Sequence, residues 1–476
     1  MKAAFGLVAA TAAALVAATP AQLVARASAS SSAAASGTSS GSLPVVTVKG
    51  NAFFAGNDRF YIRGVDYQPG GSSGTAGSDG ASDPIADAAG CKRDIVEFQK
   101  LGINTVRVYT VDNSASHDEC MSALAAAGIY LALDVNSPHY SLNRGDPAPS
   151  YNPTYLQSVF ATIDAFANYT NTLLFFSGNE VINDDNTTNC APYVKAVTRD
   201  MKQYIGSRGY RPIPVGYSAA DVESNRYNMA QYMNCGTDDQ RSDFFAFNDY
   251  SWCDPSSYTQ AGWDQKVALF GNYSLPLFLS EYGCIKGPRN FEEVSALYGT
   301  DMTPVYSGGL VYEYSEEGNN YGLVTINGDT VNETPALASL ATALKNNPVS
   351  GDGGYKSTAG PASVCPSSSG TWEVTDFTGA QLPAIPDGAV QYMKSGAGKG
   401  PGLSGTGSQN AGGASSSTAT PGSAAVSNTA SSHSGSASST ASSSAAQALL
   451  VGELGMAPFV CGAVVLVSTL FGAALV

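Results

Sequence analysis

Two glutamates, each closing an apolar run, are the residues whose type and setting best suit chemistry. Glu180 ends Phe175-Phe176-Ser177-Gly178-Asn179-Glu180, and Glu281 ends Leu277-Phe278-Leu279-Ser280-Glu281. A carboxyl at the end of a buried strand is held in place by the sheet, and its pKa is open to tuning by burial and neighbours. Two of them can cleave a glycosidic bond with retention. One protonates the leaving oxygen while the other, about 5 Å away, attacks the anomeric carbon. Asn179 stands where its amide can reach a sugar 2-OH. On this reading Glu180 is the acid/base and Glu281 the nucleophile, with Tyr312 a donor that keeps Glu281 ionised and oriented. Asp134, Glu313, Glu316 and Glu317 are the competing carboxylates. With three His in the chain, one of them (His433) in a Ser-rich tract, metal centres and Ser/His triads have little material. No metal or cofactor is expected, and His139 is the histidine nearest the candidate site.

The elements that must position these residues follow from periodicity. Short β-branched or aromatic runs at 60–65, 105–109, 130–134, 173–177, 213–217, 244–248, 277–281 and 310–313 alternate with amphipathic stretches such as 91–101 and 193–205. Eight strands separated by helices predict an α/β fold, a (β/α)8 TIM barrel, whose chemistry sits at the C-terminal strand ends. Those ends carry Asp66 to Gln68, Tyr109, Asp134 to Asn136, Asn179 with Glu180, Tyr217, Tyr250, Glu281 with Tyr282, and Tyr312 to Tyr314. Carboxyls, amides and aromatic faces converging on one rim describe a sugar site. Tyr250 and Trp252 are expected to favour a sugar acceptor over water.

The barrel is expected over 43–348. Residues 1–21 read as a secretory signal peptide, with Lys2 ahead of a short apolar stretch, and 22–42 as a flexible leader. Residues 395–446 are nearly all Ser, Gly, Ala and Thr, the composition of a disordered stalk. Beyond it, small residues followed by an uncharged apolar tail form, over 447–476, a signal for replacement by a glycosylphosphatidylinositol anchor. The predicted location is the outer face of the plasma membrane, with the cell wall as a further site. A formal charge of −15 argues against a nucleic-acid partner. Eight Cys in a secreted chain suggest disulfides, but spacing does not give their connectivity. Asn168, Asn186, Asn272 and Asn332 each head a glycosylation sequon.

Across roughly residues 50–348 the sequence resembles the fungal anchored cell-wall β-1,3-glucanosyltransferases. The resemblance rests on residues 60–70 (Phe-Tyr-Ile-Arg-Gly-Val-Asp-Tyr-Gln-Pro-Gly), 106–110 (Val-Arg-Val-Tyr-Thr), 177–181 (Ser-Gly-Asn-Glu-Val), 280–284 (Ser-Glu-Tyr-Gly-Cys) and 308–312 (Gly-Gly-Leu-Val-Tyr). It implies that Glu180 is acid/base and Glu281 nucleophile, and that Tyr109, Asn179, Asp221, Arg226 and Tyr312 contact glucan. It also implies the bridges Cys91–Cys120, Cys235–Cys365 and Cys253–Cys284, with Cys190 free and the segment 349–394 tied back to the barrel. The partners it implies are β-1,3-glucan donor and acceptor chains, handled by a monomer. Some members of that family carry a Cys-rich carbohydrate-binding module after the barrel. Here only Cys365 follows before the Ser-rich tract, so the chain resembles the form without it. The alternatives are an endo-β-1,3-glucanase and a non-catalytic glucan-binding wall protein.

Overall fold

The computed structural model describes residues 43–71, 81–358 and 360–419. The readings for the signal peptide, the leader, the anchor signal and the stalk beyond 419 lie outside the described residues. Strands β1 (Val46–Lys49), β2 (Ala52–Ala55) and β3 (Asp58–Phe60) form a small antiparallel sheet. Eight parallel strands follow: β4 (Ile62–Asp66), β5 (Thr105–Val108), β6 (Tyr130–Asp134), β7 (Thr172–Asn179), β8 (Val215–Ala220), β9 (Phe244–Asp249), β10 (Leu277–Tyr282) and β11 (Tyr306–Val311). They pair in sequence order, and β11 returns to β4, so the sheet closes into the expected (β/α)8 barrel. Some elements differ from the sequence reading. The run at 60–65 divides between β3 and β4, β8 begins at Val215, and β11 ends at Val311, before Tyr312 and Glu313.

The barrel strands are buried on both faces, which is why they read as apolar runs rather than alternating patterns. Between them run α1 (Ala88–Leu101), α2 (Asp118–Ala126), α3 (Pro147–Ser150), α4 (Pro153–Phe166), α5 (Ala191–Ser207), α6 (Arg226–Met233), α7 (Trp263–Phe270) and α8 (Glu293–Leu297). Local chemistry sets their ends. Asp87 accepts from the backbone N–H groups of Ala89 and Gly90 to start α1, and Gly102, at φ 68°, ends it. Asn152 caps α4 ahead of Pro153 at its first turn.

Phe53 of the small sheet packs with Phe176, Phe244, Phe278, Ile62 and Leu310 from the barrel strands, filling the lower barrel with aromatic and aliphatic groups. The hairpin β12 (Val324–Asn327) and β13 (Thr330–Glu333) precedes α9 (Pro335–Asn346). Disulfides join Cys91 to Cys120, Cys253 to Cys284 and Cys235 to Cys365, and Cys190 is free and buried. The four sequon asparagines are exposed.

The stalk does not begin at 395. Residues 382–383 form β14 and residues 387–395 form α10, which packs on α4 and α5. The chain then runs on through 396–417 to β15 (Thr418–Ala419), which pairs with β14. Ser- and Gly-rich composition offers no apolar face, but small residues let the backbone approach the barrel and hydrogen-bond to it directly.

Candidate active site

The site is built upward from the aromatic floor. Arg107, in the middle of β5, points into the barrel and is fully buried, with its guanidinium 4.5 Å from the Phe176 ring centroid and 4.3 Å from that of Tyr109. A buried cation must be paired. It forks onto Asp134, Nε to Oδ2 at 2.9 Å and Nη2 to Oδ1 at 3.2 Å. It also donates to Asn179 Oδ1 at 3.1 Å, Ser280 O at 3.1 Å and Glu281 Oε1 at 3.4 Å. One side chain thus ties the ends of β6, β7 and β10 together.

Glu281 lies above it, 8 % exposed. Tyr109 donates to its Oε1 at 2.8 Å and Tyr250 to its Oε2 at 2.7 Å. Burial pushes its pKa up to about 7. Arg107 pulls down, Glu180 pushes up, and the hydroxyls of Tyr250 and Tyr109 pull down again. Tyr312 does not hold Glu281. Because β11 stops at Val311, the Tyr312 ring stands edge-on to Tyr109, Tyr250 and Tyr321, at centroid distances of 6.4, 6.4 and 5.2 Å, and forms an aromatic wall.

Glu180 follows β7, half-buried, with φ at 46°. That conformation costs a non-glycine residue on the order of 1–3 kcal/mol and is kept only where the surroundings enforce it. Here Glu180 N donates to Ser218 O at 2.9 Å and Arg144 Nη2 donates to Glu180 O at 2.6 Å. Asn248 Nδ2 donates to the carboxyl Oε1 at 2.9 Å. Asn179 Oδ1 is occupied by Arg107, Ser218 (2.7 Å) and Asn248 (3.1 Å), which fixes the amide so that its NH2 end is directed away from these donors. A cavity of 340 Å³ opens beside the pair, lined by Tyr109, Asp134, Asn136, Leu142, Arg144 and Asn179 among others. Neither carboxyl of the pair lines this cavity itself, but Asn179 and Val181 on either side of Glu180 do, and so does Tyr109, which holds Glu281; a second groove of 520 Å³, between 290–295 and α9, has none of these residues.

The other carboxylates are committed elsewhere. Asp134 holds Arg107. Glu313 accepts from Asn319 at 2.6 Å, and burial raises it to about 8. Glu316 accepts from the backbone N–H groups of Gly318, Asn320 and Gly322, and Glu317 from Gly70 N. Asp221 and Arg226 are paired with each other at 2.7 Å, and Lys266 bridges Asp221 and Asp249 at 2.5 Å each. Trp252 is not a cleft aromatic. It is buried against Trp263, and its indole N–H is used on Asp254 at 2.9 Å. His139 is exposed at its side chain, and His117 is buried on Asp83.

Sequence reasoning placed Asp66 on the rim without a role of its own and quoted Arg107 only within a motif. Their signal is a charge inside an apolar strand: Arg107 in Thr-Val-Arg-Val and Asp66 closing Ile-Arg-Gly-Val-Asp. Asp66 is fully buried, and neither of its oxygens has a hydrogen-bond partner. Burial holds it well above the usual carboxylate range, against the pull of Arg107 and with the push of Glu281, Glu313 and Asp134.

A (β/α)8 barrel with two carboxyls at the C-terminal ends of its strands, one of them raising the pKa of the other, is an architecture suited to chemistry on a glycosidic bond. The chain belongs to the glucanosyltransferase family, whose model matches residues 35–347. It is 65 % identical over 434 residues to the 1,3-beta-glucanosyltransferase gel1 of Aspergillus fumigatus, covering 90 % of this chain and 93 % of that one. It is 55 % identical over 365 residues to the 1,3-beta-glucanosyltransferase GAS5 of Saccharomyces cerevisiae, covering 75 % and 73 %. Among solved structures, a Glu-to-Gln mutant of Saccharomyces cerevisiae Gas2p in complex with laminaritetraose and laminaripentaose overlays with a TM-score of 0.66 at 37 % identity, covering 73 % of this chain and 76 % of that one.

Proposed function

We propose that this chain is a 1,3-beta-glucanosyltransferase that cuts a β-1,3-glucan internally and joins the new reducing end to the non-reducing end of a second chain. The observation that carries the reading is the contrast around the carboxyl pair. Glu281 is fixed on both oxygens by tyrosine hydroxyls and lies against a cation that can only donate, whereas Glu180 has no such cation on its carboxyl. Arg107 and the two tyrosine hydroxyls favour the charged form of Glu281 against the burial that raises its pKa, which suits Glu281 to attack as a carboxylate.

In the first step the Glu281 carboxylate attacks the anomeric carbon, the C–O bond breaks, and Glu180 gives its proton to the departing oxygen. The product is a glycosyl ester on Glu281. Glu180, now ionised, removes the proton from an acceptor 3-OH, whose oxygen displaces Glu281 and forms the new β-1,3 bond. Tyr109, Asn179 and Tyr312 contact the donor sugar. The Asp221–Arg226 pair adds a contact further along the rim, through Arg226, because both Asp221 oxygens face protein cations. Laminari-oligosaccharides bound to Gas2p, a family member, support a β-1,3-glucan substrate. The enzyme works as a monomer outside the cell, held to the membrane by a glycosylphosphatidylinositol anchor. Release from cells by a phosphatidylinositol-specific phospholipase tests the anchor.

The activity is tested with a reduced laminari-oligosaccharide. Products longer than the substrate are expected; only shorter ones would make the enzyme a hydrolase, and none at all would leave a binding protein.

A further inference from the structure

The Ser- and Gly-rich segment after α10 reaches the wall of the active-site cavity from outside the barrel. It is held chiefly through its backbone. Gln157 Nε2 donates to Ala397 O and Lys399 O, each at 2.9 Å, and Gly402 N donates to Asn113 Oδ1 at 3.0 Å. Further on, Gly407 N donates to the Tyr140 hydroxyl at 3.3 Å, Ser408 N to His139 O at 2.9 Å, and Gln409 Nε2 to Ser141 O at 2.6 Å. Asn152 Nδ2 returns a bond to Ser408 O at 2.6 Å, and Ser408 is fully buried. Gly405 sits so close that a Cβ there would lie 2.1 Å from the Tyr140 hydroxyl oxygen.

Three of these bonds end on residues 139–141, inside the loop after β6. That loop supplies Ser137, Pro138, Ser141, Leu142, Asn143 and Arg144 to the cavity wall, and Arg144 holds the Glu180 carbonyl at 2.6 Å. Ser137 and Tyr140 exchange backbone bonds at 3.0 Å, so the loop has a tight turn of its own, and residues 407–409 hydrogen-bond to it at Tyr140, His139 and Ser141.

We propose that residues 402–409 are a positioning strap that fixes the 137–144 loop and thereby sets how tightly the enzyme holds the glucan units lying in that arm of the cleft, away from the bond being broken. The proposal rests on the functional reading above. A loop held in its binding conformation before ligand arrives loses less freedom on binding, so its contacts are realised as affinity. The strap acts through the loop and touches neither carboxyl. Its effect therefore grows with glucan length, because only longer chains extend into that arm.

The test is binding of laminari-oligosaccharides of increasing length to the Glu281→Gln enzyme, with and without Gly405→Ala. In the parent, affinity rises with length. With Gly405→Ala the added affinity of the longer chains falls by about 10-fold, the equivalent of a lost hydrogen bond or two, while the shortest binding chain is held within about 2-fold. Tyr140→Phe alone removes the hydroxyl that accepts from Gly407 N and is expected to flatten the length dependence in the same direction, by less than Gly405→Ala. A chain ended after residue 398 lacks the strap and shows the same flattening. The same length dependence in the Gly405→Ala and shortened chains as in the parent overturns the proposal. So does an equal loss of affinity at every length. Failure of the parent to bind glucan of any length defeats the functional reading itself, and that result is distinct from an unchanged length dependence.

Discussion

The lower and upper halves of the barrel are built on opposite principles. Below, Phe53, Phe176, Phe244 and Phe278 pack ring against ring in edge-on and tilted contacts, and Phe176 also carries the Arg107 guanidinium on its face. A few ångströms above, one buried guanidinium lies amid Asp66, Asp134 and Glu281, with Glu313 near enough to add its repulsion. The floor is where burial stabilises the fold, at roughly 25 cal/mol per Å² of apolar surface. The mouth is where burial works against it, since carboxyls crowded around a single cation cannot all be charged at low cost. Function is concentrated where the fold is least comfortable, and it stands on the part that is most so.

The largest effect that separates the halves should come from Glu281→Gln. Turnover is expected to fall by about 10⁴-fold or more, as when a covalent nucleophile is removed. The thermal midpoint should not fall, because a strained carboxylate has been taken away. A matching drop in both would mean that the mouth is not the costly half.

Phe278→Ala is the reverse experiment. Denaturant titration should show a loss of about 3–5 kcal/mol, the usual cost of emptying an aromatic site in a core. Activity per folded molecule should change far less than in Glu281→Gln.

Between these lies the pH dependence of stability. Burial raises Glu281 to about 7 and Glu293 and Glu313 to about 8, from an ordinary 4.5. The folded state therefore binds more protons than the unfolded chain across that interval, and the stabilisation by these groups is complete below about pH 4.5 and lost as the pH rises through 7 to 8. Unfolding free energies measured from pH 4.5 to 8 should decline, and a rise over that range would count against the crowded mouth.

The smallest effect is that of Tyr250→Phe. Losing one hydroxyl from Glu281 removes a donor to its charged form, so the acid limb of the pH–rate profile should move to higher pH, with kcat reduced by about 10-fold. An unmoved limb would leave Arg107 as the main support of the Glu281 charge.

Much of the upper half was legible from sequence because strand ends announce themselves. Glu180 and Glu281 close apolar runs, and a barrel puts such closures on one rim. The partners of Glu281 were harder to read. Tyr109, Tyr250 and Tyr312 follow three different strands, and which hydroxyl reaches the carboxyl depends on where each strand stops; β11 stops one residue before Tyr312. Arg107 looked like part of a motif rather than its centre, because its five contacts come from β6, β7 and β10. Residues 396–419 were misread for a different reason. Composition reports the ability to form an apolar core, and this segment is fixed by hydrogen bonds of its backbone to side chains and carbonyls already in place.

The Cys235–Cys365 bridge also has a mechanical consequence. It spans 130 residues of sequence and joins the post-barrel segment to the connection between β8 and β9. Tension applied to the chain beyond residue 419 would first part β15 from β14, then draw on the strap and α10, and next meet a covalent link at Cys365. From there the load enters the barrel at Cys235, bypassing α9 and β11. A pull at the C-terminal end is thereby kept off the strands that close the ring beside Glu281.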